Sequence, residues 1–340
     1  MIKLVEKPKK IKVNYFQRKP RQGFNFSIEF IFNDVRAKLS DRIKSKVFIS
    51  SCYNQGIFTK IINIVQAALR QNKDVNHITG ETHFLNMLMR KKNVILTIHD
   101  CGMVHRKTGL SKTIIKWLYI ILPSRKAAIV TANSEVTKNE ILNIVGLDPD
   151  KIRVIPVAVN QQLKPNTKAF NKSKPVILQI GTGYNKNINR LIEAIQPINC
   201  KLVIIGRLSE KILELLANAK IDFENRYNLS EEELLQEYHS ADIISFISTF
   251  EGFGMPIVEA NSIERVVITS NLSSMPEVAG NAAYLVDPYN VEEIRTGILK
   301  LINDENLRTT LIKNGRLNKL RFDGNKIADM YFELYREIVK

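Results

Sequence analysis

At 340 residues with 44% hydrophobic and 25% charged residues, the chain is long enough for two domains of about 150 residues that each bury a core. Its three cysteines, Cys52, Cys101 and Cys200, show neither a C-x-x-C pair nor metal-ligand spacing, which excludes a disulfide framework and suits a reducing, cytoplasmic compartment. The net charge of +16 is uneven: residues 1–170 hold 30 Lys+Arg against 11 Asp+Glu, hence +19, and residues 171–340 hold 20 against 23, hence −3.

That asymmetry gives an anionic partner to the first half alone. A membrane surface or a phosphorylated acceptor ranks ahead of nucleic acid, because no nucleic-acid-binding motif accompanies the charge. The amino end, Met1 to Lys10, is broken by charges and has no signal-peptide core. Lys12–Phe16 is predicted as a first strand, followed by a polar turn through Gly23 and a helix through Ser27–Phe32. Gly23 would let the backbone approach a ligand closely, although a loop glycine serves equally as a plain turn residue. Strand-like Lys46–Ser50, Val75–Thr79 and Asn93–Ile98 then alternate with helical Ile57–Leu69 and His83–Leu88. Such alternation predicts a doubly wound parallel sheet, with ligands beyond the carboxyl ends of its strands. His99 and Asp100 stand at such an end. A histidine there is either a site residue or a structural hydrogen-bond partner; His77, His83, His105 and His239 have weaker claims, and no His spacing suits zinc.

Thr113–Leu122 is the most apolar window, yet it contains Lys116 and is too short to span a bilayer. Its apolar and basic residues suit a membrane-surface helix with snorkelling lysines, or equally a core helix. Ala128–Ala132 is the next strand, Ser134 opens a helix to about Val145, and Lys151–Pro156 follows. Asp148-Pro149-Asp150 is read as turn chemistry rather than as a metal motif.

Residues 160–175 are polar, with two prolines and several lysines, and are expected to link the domains. The expected organisation is 1–162, a linker at 163–175, and 176–340, with room for the last helix to pack back on the first domain. Val176–Ile180 is a buried-type strand that runs into Gly181-Thr-Gly-Tyr-Asn-Lys-Asn187, whose amides and Lys186 ammonium suit a phosphate. As a dinucleotide fingerprint the loop is incomplete, since the third glycine is missing. Strand Lys201–Ile205 ends in Gly206-Arg207 rather than in an acid, which keeps an NADP-dependent oxidoreductase open as a different-class alternative. A capping box is predicted from Ser230 and Glu233.

Ala241–Ser248 is another buried-type strand, and Ser248 to Ala260 carries two acids, Glu251 and Glu259, across a turn that contains Gly254. Pro256 suits the first position of a helix, which places Glu259 in the first turn and the amides of Phe253, Gly254 and Met255 at an anion-binding helix start. Acids flanking that start would accept hydrogen bonds from sugar and ribose hydroxyls. The plainer alternative is that Glu259 complements the helix dipole and Glu251 is a solvated loop charge.

Gly181–Asn187, Ala241-Asp242, Glu251–Gly254 through Glu259-Ala260, Ser270-Asn271, Pro276-Glu277 and Asp287-Pro288, in this order, resemble a retaining GT-B glycosyltransferase of the group 1 or family 4 type. Thr97–Asp100 and Ile152–Pro156 are similar to the same family's first half, so the resemblance covers nearly the whole chain. It implies two Rossmann-like domains facing across a cleft, with acceptor on the first and nucleotide-sugar donor on the second. Carried over, Lys186 holds the diphosphate, Glu259 the ribose, and the amides of Phe253, Gly254 and Met255 the phosphate and sugar; Glu251 and His99 contact the donor sugar, and Gly181, Thr182 and Arg207 line the donor site.

The pattern departs from the family at Thr182, where arginine is common, and at Glu264 and Val266, where glycine and proline are usual. The expectation is a cytoplasmic hexosyltransferase, peripheral on the inner face of the cell membrane, that uses a UDP- or GDP-sugar on a lipid-linked or anionic acceptor in surface polysaccharide assembly. A soluble transferase acting on a small molecule is the same-fold alternative. Neither a metal nor another cofactor is expected.

Overall fold

Short β-branched runs alternate with amphipathic segments throughout, and in the computed structural model they form two separate parallel sheets; the structure describes residues 9–20 and 27–340. Gly23 lies outside the described residues. The chain divides into two units, residues 1–158 with 324–340, and residues 159–323.

In the first unit, strands β1 (Ile11–Gln17), β2 (Ile43–Ile49), β3 (Val75–Ile78), β4 (Val94–Ile98), β5 (Ile129–Ala132) and β6 (Ile152–Val154) lie in the order β2-β1-β3-β4-β5-β6. The register sets Val13 of β1 between Ser45 of β2 and Val75 of β3. Helices α1 (Ser27–Lys38), α2 (Ile57–Leu69), α3 (Gly102–His105), α4 (Gly109–Ile115), α5 (Leu122–Arg125) and α6 (Glu135–Val145) make the connections. Two helical expectations change form. His83–Leu88 is a 3₁₀ segment, and the apolar window divides into α4, a π-helical stretch Lys116–Ile121, and α5. In this window Ile114, Trp117 and Leu118 are exposed, as is Leu110 just before it, while Ile120 and Ile121 are buried, so core-facing and solvent-facing roles coexist. Asp148 accepts from the Asp150 amide at 2.9 Å, the expected turn chemistry.

The second unit holds β7 (Val176–Ile180), β8 (Lys201–Ile205), β9 (Asp222–Arg226), β10 (Ile243–Phe246), β11 (Val266–Ser270) and β12 (Tyr284–Val286), ordered β12-β11-β10-β7-β8-β9. Its helices are α7 (Ile188–Ile195), α8 (Glu210–Asn218), α9 (Glu231–Ser240), α10 (Met255–Ser262), α11 (Met275–Ala279), α12 (Val291–Asn303) and α13 (Glu305–Asn318). Ile188, Leu191, Ile192 and Ile195 form the helical stripe by which α7 covers the sheet. Each such side chain, taken out of water, stabilises the unit by about 1.5–3 kcal/mol. The capping box forms as predicted: the Ser230 amide donates to Glu233 and the Glu233 amide to Ser230 Oγ, at 2.7 and 3.2 Å.

Residues 163–175 belong to the second unit rather than standing apart as a linker. Buried Asp242 is the physical reason, accepting from the Asn171 and Val176 amides at 3.1 and 2.9 Å and from Lys168. Arg265, also buried, reaches the Asn166 carbonyl at 3.1 Å. A polar composition here reflects side chains that pin the backbone, not a free tether.

The last helix, α14 (Gly324–Val339), belongs to the first unit. Its Ile327, Tyr331, Leu334 and Tyr335 are buried with Val13, Tyr15 and Val75. Tyr335 Oη meets Tyr15 Oη and His77 Nδ1, both at 2.9 Å; His77 Nε2 meets Thr97 Oγ1 at 2.8 Å, and Thr97 meets Thr131 at 2.7 Å. Burial lowers the His77 pKa to about 3, so the ring is a neutral relay within the core.

Candidate functional site

In the second sheet the strand order reverses between β7 and β10, which pair directly. Connections leave in opposite directions at such a point, and the crevice beyond the strand ends is where doubly wound sheets take ligands. The two loops singled out in the sequence, 181–187 after β7 and 247–254 after β10, both begin there.

They are bound to each other. Lys186 Nζ lies 2.6 Å from Glu251 Oε1 and 4.5 Å from the centre of the Phe246 ring, and both members of the ion pair are largely shielded. Asn185 Nδ2 donates to the same carboxylate oxygen at 2.9 Å and to the Phe250 carbonyl at 2.8 Å. The Thr249 amide returns a bond to the Asn185 carbonyl at 2.8 Å. Gly181, at φ +84°, permits this packing: a Cβ there would sit 2.8 Å from Lys186 Cε. From the other side, Ser273 and Ser274 hydroxyls donate to the Glu251 carbonyl at 2.6 and 2.9 Å, and Ser274 also donates to the Phe253 carbonyl at 2.7 Å.

Helix α10 starts beside this loop, with Gly254 as its N-cap and Met255 and Pro256 as its first two residues. Glu259 is therefore the fifth helical residue, one position further in than expected, since the helix begins at Met255 and not at Pro256. Its carboxylate accepts from Tyr238 Oη of α9. Burial raises the Glu259 pKa, while Tyr238 and Lys186 act to lower it. Phe253 is buried edge-on against Phe322, 5.5 Å between centroids, so its backbone rather than its ring is available to a ligand. Thr182 packs against Gly206; Arg207 is exposed, its guanidinium 5.4 Å from the Tyr227 ring centre.

In the first unit the order reverses between β1 and β3, and His99 follows the neighbouring β4. Its Nε2 lies 2.9 Å from the Thr79 carbonyl. A carbonyl only accepts, so Nε2 carries the proton and Nδ1 is left as an acceptor. Burial lowers the His99 pKa and keeps the ring neutral. Gly80 makes room for it, since a Cβ there would stand 2.6 Å from His99 Cδ2. Arg18, which follows β1, pairs with Glu29 at 2.9 Å and Glu81 at 2.5 Å.

The structure thus gathers Gly181, Lys186, Glu251 and the start of α10 at one switch point and places Glu259 behind it. Sequence reasoning missed Asn185, Tyr238, Ser273 and Ser274. Asn185 adjoins Lys186 and was within reach of the motif; the others acquire their role only through contacts across about twenty residues.

A sequence profile of the family described as Glycosyl transferases group 1 matches residues 160–318, and one described as Glycosyltransferase Family 4 matches residues 23–163. The chain belongs to the group 1 glycosyltransferases. It is 27% identical over 298 residues to the O-antigen chain mannosyltransferase B of Escherichia coli, covering 79% of this chain and 76% of that one. To the N,N'-diacetylbacillosaminyl-diphospho-undecaprenol alpha-1,3-N-acetylgalactosaminyltransferase of Campylobacter jejuni it is 25% identical, over 59% of this chain and 60% of that one. Anabaena HepE in complex with UDP and glucose superimposes with a TM-score of 0.78 at 15% identity, over 96% of this chain and 100% of that one. A sucrose-phosphate synthase from Thermosynechococcus elongatus gives 0.80 at 15% identity, over 97% and 99%. The two doubly wound units are those of the GT-B fold.

Proposed function

We propose that this group 1 glycosyltransferase moves a hexose, with retention of configuration, from a UDP- or GDP-sugar to a hydroxyl of a lipid-linked acceptor in surface polysaccharide assembly. The Lys186–Glu251 pair beside the start of α10 carries the reading. A diphosphate seated there exchanges Glu251 for phosphate oxygens at Lys186 and takes hydrogen bonds from the amides of Phe253, Gly254 and Met255 at the start of α10. Glu251, released from the lysine, accepts from hydroxyls of the donor sugar. Glu259, oriented by Tyr238, accepts from the ribose. On the first unit, His99 presents Nδ1 as a neutral acceptor to a substrate hydroxyl.

In the step itself the acceptor oxygen bonds to the anomeric carbon on the face from which the diphosphate leaves, and the hydroxyl proton passes to a departing phosphate oxygen. Lys186 and the helix amides balance the charge that grows on the leaving group. Neither a metal nor another cofactor forms part of this reading.

HepE bound to UDP and glucose supports a nucleotide-sugar donor, and the undecaprenyl diphosphate in the Campylobacter relative's name supports a lipid-linked acceptor. The α-1,3 linkage in the Campylobacter relative's name supports retention wherever the donor is itself α-linked. No observation favours the oxidoreductase alternative: Arg207 is exposed against Tyr227. The test is thermal denaturation with UDP, GDP and their hexose conjugates. The cognate nucleotide should raise the melting temperature of the wild type, by about 2.7 kcal/mol of stabilisation at a hundredfold excess over Kd, and lose that effect in Lys186→Ala. No shift with any nucleotide would overturn the reading.

A further inference from the structure

Helix α2 is mounted with its apolar side outward. Ile57, Phe58, Ile61, Ile62, Val65 and Leu69 are exposed, Phe58 at 81% and Leu69 at 82%, and at 100° per residue they share one face. The fully buried residues are Asn63 and Ala67, beside a partly buried Ile64, with Asn63 held by the Cys52 amide and carbonyl at 3.1 and 2.9 Å. A helix that served only the core would be turned the other way, since burying those side chains is worth far more than burying an asparagine.

A second apolar face stands next to it. Leu110, Ile114, Trp117 and Leu118 are exposed on α4 and the π-helical stretch, and Lys60 of α2 reaches 5.5 Å from the centre of the Tyr119 ring on that stretch, so the two segments are neighbours. Leu88, on the 3₁₀ segment against which α2 packs, is 60% exposed. The segments that carry these faces hold no acid: residues 42–73 and 101–134 contain no Asp or Glu, and Lys107 and Lys112 are exposed.

We infer that α2 and the α4 to π-helical segment form a docking surface for an anionic lipid bilayer. The apolar side chains enter the boundary between headgroups and acyl chains, and the lysine stems lie along the surface with their ammonium groups on lipid phosphates. A protein partner of ordinary composition would bring mixed charges, whereas an anionic lipid sheet complements two segments that carry Lys and Arg and no acid. No helix among the described residues is long and apolar enough to cross a membrane, so attachment through this surface is peripheral. The inference deepens the proposal of a lipid-linked acceptor and rests on it for its purpose alone; vesicle binding requires neither donor nor transfer, so the two readings fail separately.

The chain has one tryptophan, Trp117, and it lies within this surface. Its emission therefore reports insertion directly. With vesicles of phosphatidylglycerol and phosphatidylcholine the emission should move to shorter wavelength and the protein should sediment with the lipid, while phosphatidylcholine alone should bind little. The double variant Phe58→Ser/Ile61→Ser, at exposed positions and with unchanged melting temperature, should weaken co-sedimentation by about tenfold or more. Absence of binding, or equal binding by the double variant, would overturn the inference. So would a concentration-dependent shift in emission without lipid together with a dimer in light scattering, since a second copy would then be covering the surface.

Discussion

Lys186 works through its distance from charge, and its replacement tests that directly. Lys186→Ala should lower kcat/KM by about a hundredfold or more, the scale of losing one preorganised charge at a leaving group. Glu251→Gln should keep nucleotide binding and weaken selection of the donor sugar, which titration with UDP and then with the UDP-sugar would separate. Glu259 adds a pH signature. Its pKa is raised above the ordinary 4.5, so the fold holds this proton more tightly than the unfolded chain does. That contribution is present at acid pH and is lost as pH rises through 4.5 and then through the raised value. Urea midpoints measured against pH should show the loss in the wild type and not in Glu259→Gln. Glu264 explains one departure from the family pattern: it sits at φ +61° where glycine is usual, and it pairs with Arg316 at 2.6 Å. Glu264→Val places a β-branched residue in the left-handed region and should cost about 1–3 kcal/mol in chemical denaturation.

At the scale of elements, segment 163–175 is fixed to the second sheet by two buried charges. Arg265 donates to the carbonyls of Ala241 and His239 at 2.9 and 2.8 Å as well as to Asn166. Its removal leaves those carbonyls buried, so Arg265→Ala should destabilise the second unit by about 3 kcal/mol or more, read from the urea midpoint of its transition. The same segment shows where sequence reading stops. Its prolines and lysines are the composition of a tether, and only the position of Asp242, some seventy residues later, turns it into a structural strap. The glycine loop, the strand before Glu251 and the acid pair were legible because each is local: an apolar run, a turn and a helix start within about twenty residues. Tyr238 and Ser273 were not, since neither has a motif and both matter only through a contact made by folding. The orientation of α2 was illegible for a different reason, since a stripe of apolar residues shows that a helix has two sides and not which one faces the sheet.

The first unit is discontinuous in sequence and the second is not, and this predicts how fragments behave. Residues 159–323 alone should unfold in one cooperative transition and still gain stability from the cognate nucleotide. Residues 1–158 alone lack Tyr331 and Tyr335, which leaves His77 and Tyr15 facing an empty groove in the sheet. That fragment should show no cooperative transition by circular dichroism, and a peptide of residues 324–340 should restore one.

Because α14 completes the earlier half, the order of maturation during synthesis is reversed from the usual one. The ribosome makes residues 1–158 first, yet they must wait for about 180 further residues before their core can close, roughly 10–35 s at ordinary elongation rates. The later half can settle within that interval, so the nascent chain carries an unfinished, sticky leading portion ahead of a finished one, and holdase chaperones that bind exposed apolar surface are the natural custodians of that gap.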